Sequence, residues 1–295
     1  MPDDRRGAGA LIPGSAPDGP GADLAADEPA GPAAAEPAGP VAAEPAGPAA
    51  AVRTPGVLRT GTSGFAYPAW APAFYPPGTR AGALLPAYAA RLAAVELSAT
   101  YYRHPTPAQA AAWASGVPAT FRFTVKLLRT GSLRAYATDP PGTLPWLTAP
   151  LASFGDRLGT ALFRVPAGQV RDDARLSRLL AAWPAGVPLA VELQDASWHV
   201  DEVHALLRDA GATLVVTDTD EAPDPPLTVT GTFLYLRLRR TAYGTADLAD
   251  WAARLEPFLA DGRDAYAFFR HDEHGATPGM AARLGELLAP FAPAG

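Results

Sequence analysis

The 295-residue chain has no cysteine. Disulfides and thiolate chemistry are therefore excluded. No run approaches the ~18 apolar residues of a membrane helix. Arg5 and Arg6 stand near the start, but no apolar segment follows them as it would in a secretory signal. A basic excess is also missing: the formal net charge is −6. Part of that charge belongs to residues 1–54, and the remainder of the chain is close to neutral, which argues against a general nucleic-acid binder. These absences describe a cytoplasmic protein with no membrane partner.

Large apolar and aromatic residues are almost missing from residues 1–54, which consist mainly of Ala, Pro, Gly, Asp and Glu. Glu28 to Ala51 is three copies of one eight-residue unit, EPAGPAAA, EPAGPVAA and EPAGPAAA. Two prolines per unit fit neither a helix nor a solenoid repeat. The segment cannot bury enough surface to offset its ordering entropy, so residues 1–54 are expected to be a disordered tail. Residues 55–295 form the folded domain.

That domain alternates short apolar runs with helical patterns. Strands are expected at Val57–Thr62, Ala94–Ala99, Phe121–Lys126, Ala161–Val165, Leu189–Gln194, Thr213–Asp218, Phe233–Arg239 and Ala265–Arg270. Helices are expected at Leu84–Leu92, Pro107–Ser115, Leu144–Ser153, Asp172–Trp183, Val200–Asp209, Ala246–Leu259 and Pro278–Ala289. Alternation of this kind implies a parallel sheet. Eight strands within a typical ~250 residues suit a TIM (β/α)8 barrel. The competitor, an open doubly wound sheet, should carry a GxGxxG turn after its first strand, and GTSGFA has a different spacing.

The expected strands carry charge near their C-terminal ends. Glu96 and Ser98 share one face of a strand, as do Glu192 and Gln194, and Arg237 and Arg239. Their aliphatic neighbours Val95, Leu97, Val191 and Leu193 take the other face and must meet the helices. The polar set therefore points into the barrel, toward the mouth where barrel ligands bind. Lys126, Arg164, Arg237, Arg239 and Arg270 outnumber Glu96, Glu192 and Asp218 among the strand-end groups. A positive excess there suits a phosphate or carboxylate. Structural ion pairs closing the barrel, such as Glu96 with Lys126 and Glu192 with Arg237, are the plainer alternative.

Of five histidines only His271 stands at a strand end. That is too few for a multinuclear metal hydrolase, which needs several His and carboxylate ligands converging. No cofactor is expected, although a single divalent cation held by Glu96, Glu192 or Asp218 stays open. Ser63 and Ser197 have no histidine base in view. General acid–base chemistry would fall to Glu96 and Glu192.

The segments GTSGFAYPAW, VELSATYYRHP, FRFTVK, FGDRLGTALFRVP, AVELQDASWH, LYLRLRRTAY and AYAFFRHDEHG together resemble the YecE-like family, also called domain of unknown function 72. The resemblance runs from Val57 to about Leu288 and implies a TIM-like fold. It implies no established activity. Carried over by position, Tyr67, Trp70, Tyr75, Glu96, Tyr101, Tyr102, Lys126, Glu192, Ser197, Trp198 and Arg237 match the family pattern. This chain departs from it at Phe65, at Ser98-Ala99, at Gly131-Ser132, at Arg164-Val165-Pro166-Ala167 and at Gln194-Asp195, so several polar mouth residues have changed.

Two readings follow. In the first, the barrel takes a small anionic ligand. Tyr67, Trp70, Tyr75, Tyr101, Tyr102 and Trp198 form aromatic walls, Ser63, Arg164, Ser197, Asp218, Arg237 and His271 bind, and Glu96, Glu192 and Lys126 carry any catalysis. In the second, the same aromatics stack the bases of single-stranded nucleic acid or a nucleotide without catalysis. An aromatic cluster that only fills the core is the third, ligand-free option.

Overall fold

The computed structural model describes residues 53–294. The expected tail lies outside the described residues, apart from Arg53 and Thr54. Eight strands follow in order: β1 Leu58–Thr62, β2 Ala94–Leu97, β3 Arg122–Lys126, β4 Leu158–Arg164, β5 Leu189–Glu192, β6 Thr213–Asp218, β7 Phe233–Leu238 and β8 Asp264–Phe269. Neighbours pair in parallel in the order β1-β8-β7-β6-β5-β4-β3-β2. All eight coincide with the apolar runs of the sequence, and the TIM-like architecture follows from them.

The seam between β1 and β2 carries only one bridge, Ser63 to Glu96. Gly64 N–H donates to the Glu96 carbonyl at 2.8 Å there. Below it, Tyr88 substitutes for sheet pairing. Its hydroxyl accepts from Thr62 N–H at 2.8 Å and lies 3.0 Å from the Ala94 carbonyl, to which it donates. Gly61 is required at this point: a Cβ would stand 1.9 Å from the Ala94 carbonyl oxygen.

The helices are α1 Leu84–Ala89, α2 Pro107–Ser115, α3 Arg129–Ala137, α4 Pro140–Thr148, α5 Asp173–Ala181, α6 Asp201–Asp209, α7 Thr245–Ala260 and α8 Ala276–Leu287. Thr106 and Asp172 cap α2 and α5 by accepting from Gln109 N–H and Arg175 N–H. Two departures from the expected pattern stand out. Helix α3 occupies a stretch for which no helix is expected from the sequence. Gly131 allows close packing on α4, since a Cβ would meet Leu147 Cδ1 at 2.6 Å. The helix expected at Leu144–Ser153 begins earlier, at Pro140, where Asp139 accepts from Gly142 N–H, and it ends in a 3-10 stretch, Ala149–Arg157. Two helices thus follow β3, while residues 219–232, between β6 and β7, are irregular.

Two apolar cores result. The outer one lies between strands and helices and includes Val95, Phe163, Val191 and Leu236. The inner one fills the barrel with Ala94, Leu162, Ala190, Val215, Phe233, Tyr235, Tyr266 and Phe268. No helix among the described residues is long and apolar enough to cross a membrane.

Candidate ligand site at the barrel mouth

Strand alternation carries the inner core directly into a charged layer. Two residues beyond Ala94, Leu162, Ala190 and Tyr235 come Glu96, Arg164, Glu192 and Arg237. On β3 the outward partners Phe123 and Val125 belong to the outer core, which turns Lys126 inward. Glu96, Glu192, Lys126 and Arg237 therefore share the inner side of the sheet, as their alternation implies. Aromatic and aliphatic side chains form the floor beneath them.

Glu96 is fully buried and fully occupied. Oε1 accepts from Ser63 Oγ at 2.8 Å, Arg237 Nη2 at 2.8 Å and Arg239 Nη2 at 3.0 Å. Oε2 accepts from the Tyr235 hydroxyl at 2.8 Å and Arg237 Nε at 3.0 Å. Burial alone would raise its pKa, but Arg237 and Arg239 outweigh burial and hold the carboxyl well below its ordinary value. A carboxylate held in this way is a poor proton acceptor at neutral pH. Its geometry is that of an organiser that fixes two guanidinium groups. Tyr235 and Arg239 complete this network. Arg239 was legible from its i, i+2 relation to Arg237. Nothing in the sequence marked Tyr235 as more than a core ring.

Glu192 is held differently. Its Oε1 accepts from Arg237 Nη1. Arg164 Nε lies 3.0 Å from Oε2, close enough for charge attraction. The approach is out of line for a hydrogen bond, and both atoms are buried without a hydrogen-bond partner. Arg164 also donates from Nη2 to Gln194. Glu192 Oε2 is thus a buried acceptor held by charge attraction to Arg164 and by no hydrogen bond among the described residues.

Lys126 is 7% exposed. Its ammonium lies 4.1 Å from the centre of the Tyr101 ring. Among the described residues no carboxylate comes within ion-pair distance of it. Burial first, and then the Arg237 charge, bring its pKa down from 10.5 to about 8. The ion pair expected between Glu96 and Lys126 does not form, because Arg237 and Arg239 already fill both oxygens of Glu96. The pairing of Glu192 with Arg237 does form.

Several expected ligand contacts belong elsewhere. Trp70 and Trp198 are wholly buried and Tyr75 nearly so. Each spends its polar atom on backbone: Trp70 Nε1 donates to the Asp272 carbonyl at 2.8 Å, Trp198 Nε1 to the Gln169 carbonyl at 2.8 Å, and the Tyr75 hydroxyl to the Phe65 carbonyl. These rings anchor connections and cannot stack on a ligand. Asp218 points outward, because Val215 belongs to the inner core and alternation turns Asp218 to the opposite side. There it accepts from Arg240 Nε and the Tyr243 hydroxyl. Ser197 Oγ accepts from Arg171 N–H at 2.8 Å on the surface. Tyr67, half-buried, stacks on exposed His271 with ring centres 5.1 Å apart, and its hydroxyl donates to the Ser63 carbonyl. Tyr102 is 80% exposed. Tyr67, Tyr101, Tyr102 and His271 are therefore the rings left near the rim.

A divalent cation bridging Glu96 and Glu192 would have to displace Arg237, which bonds to both. Among the described residues no three His, Cys, Asp or Glu side chains converge as a metal site.

Comparison with known structures agrees with this architecture. A DUF72 family protein of Thermotoga maritima is 24% identical, with a TM-score of 0.70 over 79% of this chain and 99% of that one. A DUF72 family protein of Enterococcus faecalis is 21% identical, with a TM-score of 0.62 over 79% of this chain and 98% of that one. No curated protein matches. The family model described as protein of unknown function DUF72 covers residues 59–293. With that match over most of its length, the chain belongs to the DUF72 family.

Proposed function

We propose that the mouth of this barrel binds a small anion bearing a phosphate or carboxylate. The observation that carries the reading is the composition of the inward layer. Lys126, Arg164, Arg237 and Arg239 face two carboxylates, Glu96 and Glu192. Glu96 is consumed in fixing Arg237 and Arg239, so positive charge is left over in a partly desolvated space. An anion compensates such an excess better than water does. Arg164, the most exposed of the four cationic side chains, is the readiest contact.

Where chemistry follows binding, Glu192 Oε2 and the Lys126 amine would carry the proton transfer. Glu96 is excluded from that role by its five close donors. A platform for stacked bases finds less support, since Trp70, Tyr75 and Trp198 are withdrawn into the core.

Titration calorimetry with inorganic phosphate and with small dicarboxylates tests the reading. Binding that weakens with salt, and that Arg164→Gln weakens further, is expected. If none of these anions binds at millimolar concentration, the reading fails.

A further inference from the structure

Lys126 is the one lysine in a chain whose other twenty-three basic side chains are all arginine. Everywhere else, on the surface and within the mouth, this protein meets its need for positive charge with guanidinium. An arginine at Lys126 would have served charge equally well, because arginine stays protonated in proteins. What lysine adds is an amine that can lose its proton and act as a nucleophile.

The surroundings of Lys126 match that use. It stands at the C-terminal end of β3, facing inward, over the Tyr101 ring and with no carboxylate partner among the described residues. A charge-holding lysine in so enclosed a place would be expected to have an acidic partner. Desolvation and an adjacent guanidinium are the two conditions that release a lysine amine for attack on carbonyls. Both apply here, and they bring the amine to about 8. Glu192, whose Oε2 has no hydrogen-bond donor among the described residues, lies near enough for its charge to act on Lys126.

We propose that Lys126 forms a Schiff base with a small aldehyde or ketone whose phosphate or carboxylate is held by Arg164 and the Arg237–Arg239 pair. This rests on the anion reading above and names the substrate class within it. The unprotonated amine uses its lone pair to form the C–N bond, giving a carbinolamine. The former carbonyl oxygen then leaves as water, taking up the two amine protons, and the C=N bond closes. Glu192 Oε2 accepts and returns a proton in this exchange. No oxidant or reductant is consumed.

A single lysine makes the test clean, since the α-amino group is the only other primary amine. The full-length protein is incubated with glyoxylate or dihydroxyacetone phosphate plus sodium cyanoborohydride, which reduces an imine to a stable secondary amine. Adducts are located by peptide mapping. A saturable adduct on Lys126 is expected, formed faster than at the α-amino group and suppressed by inorganic phosphate. Propanal, which has no anionic group, should label Lys126 poorly. Lys126→Arg should lose the adduct, and mapping of the unaltered protein needs no variant to fold. Phosphate binding without trapping at Lys126 would overturn the Schiff base and leave the anion site standing. Labelling by propanal as fast as by glyoxylate would overturn it too, because the amine would then be merely reactive. Absence of both phosphate binding and trapping would remove both readings.

Discussion

Arg237 grips Glu96 through both carboxylate oxygens, Nε to Oε2 at 3.0 Å and Nη2 to Oε1 at 2.8 Å, while its remaining nitrogen reaches Glu192. One guanidinium thus ties β7 to β2 and to β5 across the interior of the barrel. The planar fork makes this geometry available to arginine and denies it to lysine. Arg237→Met leaves two buried carboxylates without their shared partner. A loss of about 3–5 kcal/mol is expected from such a deletion. Arg237→Lys, which keeps the charge and loses the fork, should fall between the two. Urea unfolding of both variants measures this, and a loss under about 1 kcal/mol for the methionine variant would mean that the bridge does not hold the strands.

Acid should expose the same network. The Glu96 carboxyl has its folded pKa lowered from an ordinary 4.5. The unfolded chain therefore takes up the proton first as pH falls. The stabilisation is complete above about pH 5 and is lost progressively below 4.5. Glu96→Gln cannot titrate, so its stability should vary less with pH in that acid range than that of the parent. Urea midpoints from pH 3 to pH 7 give the comparison. Parallel curves for the two proteins would show that Glu96 carries no such linkage.

How far the sequence revealed this arrangement depended on alternation. Where a charge interrupts a strand with aliphatics on both sides, as Glu96 and Glu192 do, its face could be read, and so could the pairing of Arg237 with Arg239. On β6 the run Leu214-Val215-Val216 has no polar alternation, so the outward turn of Asp218 was not legible. The aromatics misled for a different reason. Trp70 and Trp198 stand in connections, where composition suggests exposure, yet their ring nitrogens fasten to carbonyls distant in sequence. Long-range anchoring of that kind leaves no local periodicity. Tyr235 shows the same limit from within the core, since its hydroxyl meets a carboxylate 139 positions away.

Trp70 should accordingly behave as a structural residue. It is wholly buried and links the connection after β1 to Asp272 after β8. Trp70→Ala should cost about 3–5 kcal/mol, the usual range for deleting a large buried ring. Phosphate affinity of the fraction that folds should be unchanged. A variant of normal stability and weakened phosphate binding would return Trp70 to the ligand wall.

Lys126 predicts a pH dependence of the same sign as Glu96, a rise in stability with pH, at the alkaline end. The groups facing it are Arg164, Glu192, Glu96, Arg237 and the Tyr101 ring, and its folded pKa is about 8 against an ordinary 10.5. Between those two values the unfolded chain holds a proton that the folded chain has released. Stability contributed by this group therefore rises with pH across that window. Lys126→Met should lack the rise, so the difference in stability between parent and variant should move in favour of the parent from pH 8 to pH 10. A difference that stays flat would mean the amine titrates as an ordinary lysine.

The seam between β1 and β2 gives the sharpest structural test. Tyr88 is buried, and its hydroxyl serves both Thr62 N–H and the Ala94 carbonyl, two groups that face each other without a direct bond. Tyr88→Phe removes one oxygen atom and keeps the ring in place among Phe65, Phe74 and Phe121. A buried amide and a buried carbonyl are then left unpaired, and each such group costs about 1–3 kcal/mol. The strands cannot close to satisfy each other, since Gly61 already lies against the Ala94 carbonyl. Hydrogen exchange at the Thr62 amide should accelerate by more than exchange at amides in the β7–β8 ladder, because the seam opens without disturbing pairing elsewhere. Uniform acceleration at all strands would instead mean that Tyr88 contributes only to global stability and that the barrel is not locally pinned there.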